Sequence, residues 1–186
     1  MSLVELIAQA DERGLAASGL ACLDRCVPVL GGDDDLLRPL WESLAGGGDW
    51  GGALADARSA LGPAKAPPGE AAVLARRMLD AVPAAHSGAR VREWADACSV
   101  AALQVHRLLD AATAAAARPV TARREGRTDG MSPLVAAELR RQIRILELLA
   151  DRGAGPAGGL RQALDVSTEG RRVLRAVVSR RARGRG

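Results

Sequence analysis

The stretch Val91–Ala116, VREWADACSVAALQVHRLLDAATAAA, decides the fold class. Its apolar positions Val91, Trp94, Cys98, Ala101, Val105, Leu108 and Ala112 recur at steps of three and four, which gathers them on one face of a helix. Sustained over several turns, the pattern predicts a long helix at the centre of a bundle. The rest of the composition agrees. Hydrophobic residues make up 48% of the 186-residue chain, yet Phe and Tyr are absent and Trp41, Trp50 and Trp94 are its only aromatic residues. A core built from Leu, Val and Ala favours helix over strand. The expected fold class is therefore all-α, a helical bundle of about seven to eight helices with a basic C-terminal helical segment, at a length suited to one compact domain.

Towards the N-terminus, Ser2 followed by Glu5 forms a capping-box pattern, with Leu3, Leu6, Ile7 and Ala10 on one face and an end expected near Gly14. A second helical stretch, Leu15 to Val27, runs up to Pro28 and Gly31–Gly32. Asp33, Asp34 and Asp35 place negative charge at the next helix start, ahead of the stripe Leu37, Leu40, Trp41 and Leu44. Asp49 is expected to cap a helix through Leu61. After Pro63, Pro67 and Pro68 another starts near Glu70 and runs to about Val82, where Pro83 ends it. Ser87 is read as the N-cap of the long helix.

Towards the C-terminus, Arg118–Gly130 is Arg-rich, lacks an apolar period and contains Pro119, Gly126 and Gly130, which predicts a flexible loop. Ser132–Pro133 opens a second long helix with Val135, Leu139, Ile143, Leu146 and Leu149 on one face. Beyond the glycines at 153–159, a short helix near Leu160–Leu164 and a last one from about Thr168 to Arg181 are expected. The predicted organisation is thus an acidic bundle core over 1–116, a loop over 117–131 and a basic helical segment over 132–186, packed on the core.

Charge separates these parts. Residues 1–116 hold 10 Lys+Arg and 15 Asp+Glu, a net −5, whereas residues 117–186 hold 16 and 7, a net +9. From Arg171 to the end there are seven Arg and no acid. Such a cluster suits contact with phosphate or another polyanion, and Arg171, Arg172, Arg175, Arg180 and Arg181 are its candidate contact residues. The plainer reading docks this end on the acidic half of the chain. Arg greatly outnumbers Lys, with Lys65 alone, as codon drift in a high-GC genome would produce.

Motifs of catalysis and ligation are sparse. Gly46–Gly51 and Gly153–Gly158 match G-x-G-x-x-G, but each follows a predicted helix where a dinucleotide fingerprint needs a strand, and no G-K-[ST] occurs. Cys22 and Cys26 share a helix face and are weak candidates for metal ligands; two thiols are not a site, and free Cys is commonly a small buried residue. A catalytic triad would need His86 or His106. His86 lies beside the helix-ending Pro83, and His106 is off the apolar stripe, where it reads as a partly exposed surface residue. No cofactor and no enzymatic activity is expected. Trp41, Trp94 and Cys98 could instead line an apolar pocket in the bundle.

One segment resembles a known architecture. Ile145-Leu146-Glu147-Leu148-Leu149, a Gly-rich turn and Leu160-Arg161-Gln162-Ala163-Leu164-Asp165-Val166-Ser167 are similar to bacterial helix-turn-helix regulators. The resemblance implies that Leu160, Leu164, Val166 and Leu174 are buried and that Arg171, Arg172 and Arg175 face DNA. The chain departs from the pattern at Arg161, Asp165 and Arg171, where a small residue, a Gly and an apolar residue are usual.

The expected function is a non-catalytic helical binding or regulatory module acting through helix faces and its basic C-terminal arm. A protein partner or self-association is expected. A DNA-binding regulator with a degenerate helix-turn-helix near 145–178 and a small-molecule sensor are the alternatives. The acidic N-terminus lacks the basic start of a secretory signal, no apolar run approaches the ~20 residues of a membrane span, and three cysteines are too few for a disulfide framework, so a cytoplasmic location without membrane attachment is expected.

Overall fold

The computed structural model describes residues 1–46, 48–62, 69–85, 88–110, 120–151, 153 and 155–184. Among them there is no strand. Nine α-helices follow in order: α1 (Leu3–Gln9), α2 (Glu12–Cys26), α3 (Arg38–Gly46), α4 (Trp50–Leu61), α5 (Glu70–Asp80), α6 (Ala89–Leu109), α7 (Val120–Arg124), α8 (Pro133–Ala150) and α9 (Gly155–Arg183), with a 3-10 turn at Val27–Leu30 between α2 and α3. The protein is an all-α helical bundle, and none of these helices is long and apolar enough to cross a membrane.

The centre of the bundle is α2 rather than the long helix of the opening stretch. Every residue from Gly14 to Cys26 is buried, because α6, α8 and α9 pack along it and α3 and α5 close its remaining sides. Its sequence, with Gly14, Ala16, Ala17, Gly19 and Ala21, permits this: small side chains let neighbouring helices approach on several faces at once. At Gly19 the approach is closest. A Cβ there would lie 2.6 Å from the Trp94 ring, so only a glycine lets α6 lay that indole across α2.

Two predicted helix starts carry the expected side-chain caps, whereas Ser132 stands at the N-cap of α8 without a capping hydrogen bond. Ser2 and Glu5 form the capping box of α1, and the Asp49 carboxylate accepts from the Gly52 N–H at the start of α4. Pro133 occupies the first turn of α8. The first two helices divide differently from the expectation: α1 ends at Gln9, Asp11 caps α2 through the Gly14 N–H, and Gly14 lies inside the helix it was expected to precede. The stripe Leu37, Leu40, Trp41 and Leu44 is buried as its spacing required. Helix α6 begins at Ala89 after Gly88 and is capped by Asp110; the expected cap Ser87, together with His86 and the stretch 111–116, lies outside the described residues.

Two segments differ from expectation. Within the expected loop, Val120–Arg124 is helical: Val120 is buried and Arg124 forms an ion pair with Asp96 of α6, so tertiary contact holds five residues that have no period of their own. The C-terminal region, expected as two helices, is the single 29-residue α9. Buried Leu160, Ala163, Ser167, Gly170 and Leu174 continue one helical stripe straight through the supposed turn, and Asp165 simply faces solvent. The turn required by a helix-turn-helix is therefore absent, and Leu164 and Val166 are only half-buried.

Candidate functional site

Polar chemistry concentrates inside the bundle. Arg25 of α2 and Glu138 of α8 are both fully buried, and the guanidinium donates from Nε to Oε2 at 2.8 Å and from Nη2 to Oε1 at 2.7 Å. Gln142, one turn beyond Glu138, donates from Nε2 to Glu138 Oε1 at 2.9 Å and to the Ser99 carbonyl at 3.2 Å, and accepts from Ser99 Oγ at 2.6 Å. His106 of α6 brings Nε2 to 3.5 Å from Glu138 Oε2, while its Nδ1 lies 2.7 Å from the Ala102 carbonyl. Three helices thus share one carboxylate.

The electrostatics follow from burial. Desolvation, the largest single influence, would raise the Glu138 carboxyl, but the Arg25 charge together with the hydrogen bonds from Arg25 and Gln142 and the neighbouring His106 outweighs it and holds the group at about 2, so it is ionised. Burial pushes His106 below its ordinary value against the pull of Glu138, and the guanidiniums of Arg25 and Arg141 add to the penalty on charging it. The imidazole is therefore neutral near pH 7 and donates Nδ1–H to Ala102. His106 is 1% exposed, which corrects its reading as a surface residue: α6 buries a second face carrying Ala95, Ser99, Ala102 and His106. Neither Arg25 nor Glu138 was singled out by sequence; the i, i+4 pair Glu138–Gln142 on the apolar side of α8 was the available signal.

A second polar cluster joins α2 to α9. Asp24, 1% exposed, accepts from Ser167 Oγ at 2.8 Å and from Arg171 Nη1. Arg171 Nε lies 3.3 Å from Asp34, which also accepts from Arg175 Nη2 at 2.7 Å, and Arg175 reaches the Gly32 carbonyl. The candidate polyanion contacts consequently divide. Arg171 is buried against α2, Arg175 is 39% exposed in its side chain and engaged with Asp34, and Arg181 donates to the Leu108 carbonyl at 2.8 Å. Arg172 and Arg180 face solvent, as does Arg183.

The cysteines and tryptophans are core residues. Cys22, Cys26 and Cys98 are free and buried, and burial pushes the Cys22 thiol up to about 12 even with Arg25 Nη2 donating to its sulfur at 3.6 Å. At such a value the thiol stays protonated near pH 7. No group of three or more His, Cys, Asp or Glu is placed to hold a metal among the described residues. Trp41, Trp94 and Cys98 are packed into the core, with Trp94 Nε1 donating to the Met78 carbonyl at 2.9 Å. A half-open cleft of about 490 Å³ lies instead where α1, the start of α2, the end of α8 and the start of α9 meet, lined by Leu6, Ala10, Arg13, Leu146, Leu149 and Pro156 among others. Comparison with protein-family models, with curated proteins and with solved structures finds no match for this chain.

Proposed function

We propose that this chain is a non-catalytic helical binding module that meets an anionic macromolecular partner through the solvent-facing C-terminal end of α9. The observation that carries the reading is the division of the arginines. Arg171 and Arg175 are spent on Asp24 and Asp34, which fixes α9 on the body of the bundle, and Arg172, Arg180 and Arg183 remain in solvent on a segment without any acid after Glu169. Rigidly mounted cations of one sign attract phosphates or carboxylates at long range. Enclosure of Arg25, Glu138 and His106 supports the non-catalytic half of the reading, because a general base must reach its substrate.

Fluorescence anisotropy with a labelled random-sequence duplex and with labelled polyglutamate tests it. Binding at low salt should weaken as salt rises, and the R172Q/R180Q/R183Q variant should lose it while keeping its helical circular dichroism. Duplex-only binding would identify a nucleic-acid partner and polyglutamate binding an acidic protein. Failure of both at low salt, or equal binding by the variant, refutes the reading.

The cleft at α1 and α8 favours a second reading, a small-molecule sensor. Its volume falls in the range of about 300–1,000 Å³ usual for ligand sites. A ligand bound there would raise the unfolding temperature, and the L146A or L149A variant would lose that rise.

A further inference from the structure

The solvent-facing arginines of α9 share one side of their helix. Arg172, Arg180 and Arg183 follow one another at steps of eight and three, which keeps them within about 80° of arc and along about 16 Å of the helix axis. A groove of the opposite charge lies between α3 and α4. It is open, about 490 Å³ in volume, and lined by Glu42, Ser43, Gly48, Asp49, Gly52 and Asp56 among others, with no Lys or Arg in its lining. Asp49 and Asp56 stand two turns apart, about 10 Å along α4, and Arg172 and Arg180 stand about 12 Å apart along α9. Glu42 and Asp56 are exposed, and among the described residues neither has an ion-pair partner.

The groove and the free end of α9 lie apart within one copy. Arg13, at the start of α2, donates to the Leu44 carbonyl at 3.1 Å, which places the turn between α3 and α4 at that end of the bundle. Past the other end of α2, Arg175 reaches the Gly32 carbonyl at 3.0 Å, and Arg181 reaches the Leu108 carbonyl at the close of α6. The 15 residues of α2, about 22 Å of helix, run between the two ends. Helix α3 packs on α9 as well as on α2, so the groove and the arginines belong to neighbouring helices. A second copy laid antiparallel alongside brings each α9 end to the other's groove, and a two-fold axis closes the assembly at two copies.

We infer that the anionic partner of α9 is a second copy of this chain, with Arg172, Arg180 and Arg183 of each copy seated on Glu42, Asp49 and Asp56 of the other. The pairing rests on the role proposed for α9 above and names its partner. Charge complementarity selects this occupant: residues 117–186 carry a net +9 and residues 1–116 a net −5, so an antiparallel pair sets unlike charges against each other at both ends. Exposed ion pairs contribute little each and are screened by salt, so the dimer is weak and salt-sensitive.

Sedimentation velocity of the full chain at low and high salt, over a range of concentrations, tests the pairing. The expected result is a monomer–dimer equilibrium at low salt that shifts to monomer at high salt. E42K/D56K and R172E/R180E/R183E should each be monomeric with unchanged helical circular dichroism, and an equimolar mixture of the two should regain the dimer mass. A monomeric wild type at low salt, assemblies larger than a dimer, or a dimer that survives either variant overturns the pairing. The arginines of E42K/D56K are free, so this variant should still bind labelled polyglutamate. A monomeric wild type with that binding intact rejects the second copy alone, whereas loss of the binding rejects the role of α9 and the pairing with it.

Discussion

Arg25 and Glu138 stand 113 residues apart in the chain and form a two-pronged ion pair with neither side chain exposed to solvent. Such a pair contributes little net stability, because desolvating two ions offsets their attraction, but it penalises any register of α8 on α2 that separates them. Removing one partner strands the other. E138Q should therefore destabilise the bundle by about 3–5 kcal/mol. The double variant R25M/E138M, of similar bulk and without buried charge, should recover much of that loss. Equilibrium urea unfolding of the three proteins checks both statements, and a double variant less stable than E138Q would contradict them.

Stability should fall in two stages on acidification. His106 titrates below its ordinary value of 6.5 in the fold, so the unfolded chain binds the extra proton first: its contribution is intact above 6.5 and declines as pH falls below it. Glu138, held at about 2 against 4.5 when free, contributes fully above 4.5 and loses that contribution as pH falls from 4.5 towards 2. Urea midpoints at pH 7.5, 5.5 and 3 should decrease in that order. H106Q should flatten the first step and leave the second, whereas a first step unchanged in H106Q would assign it elsewhere.

Arg171 is the counterion of a carboxylate that burial pushes above its ordinary range. R171A should therefore cost about 3–5 kcal/mol, the usual penalty for leaving a buried charge uncompensated. Adding D24N should restore part of that, since an amide can still accept from Ser167 without a charge to neutralise. A double-mutant cycle by denaturant unfolding measures the coupling. Strict additivity would show that the two side chains do not depend on one another.

The packing of Trp94 on Gly19 predicts an unusual sign for a helix substitution. In an open helical position Gly→Ala stabilises by up to about 1 kcal/mol. At Gly19 the new methyl would stand 2.6 Å from the indole, and overpacking of this kind costs about 1–3 kcal/mol, so G19A should be net destabilising and should shift the tryptophan emission. G46A, with nothing within 4 Å of the added methyl, is the matched control and should be neutral or stabilising.

Local signals in the sequence determined where most helices lie. Ser2, Asp49 and Ser132–Pro133 are starts readable from one turn of chain, and the stripes of α3, α6 and α8 needed only the 3.6-residue period. The unbroken α9 was legible too: no Gly or Pro separates Leu160 from Glu169, and the pattern of a turn motif displaced the simpler helical period. Tertiary structure alone decided which face of each helix meets which partner. Burial of Arg25, Glu138 and His106, the division of the C-terminal arginines between core and solvent, and the helix at Val120–Arg124 all depend on residues far away in the chain. The physical reason is that a charged side chain carries no mark of its own burial: it can be enclosed only where a distant residue supplies the counter-charge, and that pairing exists once the helices have packed.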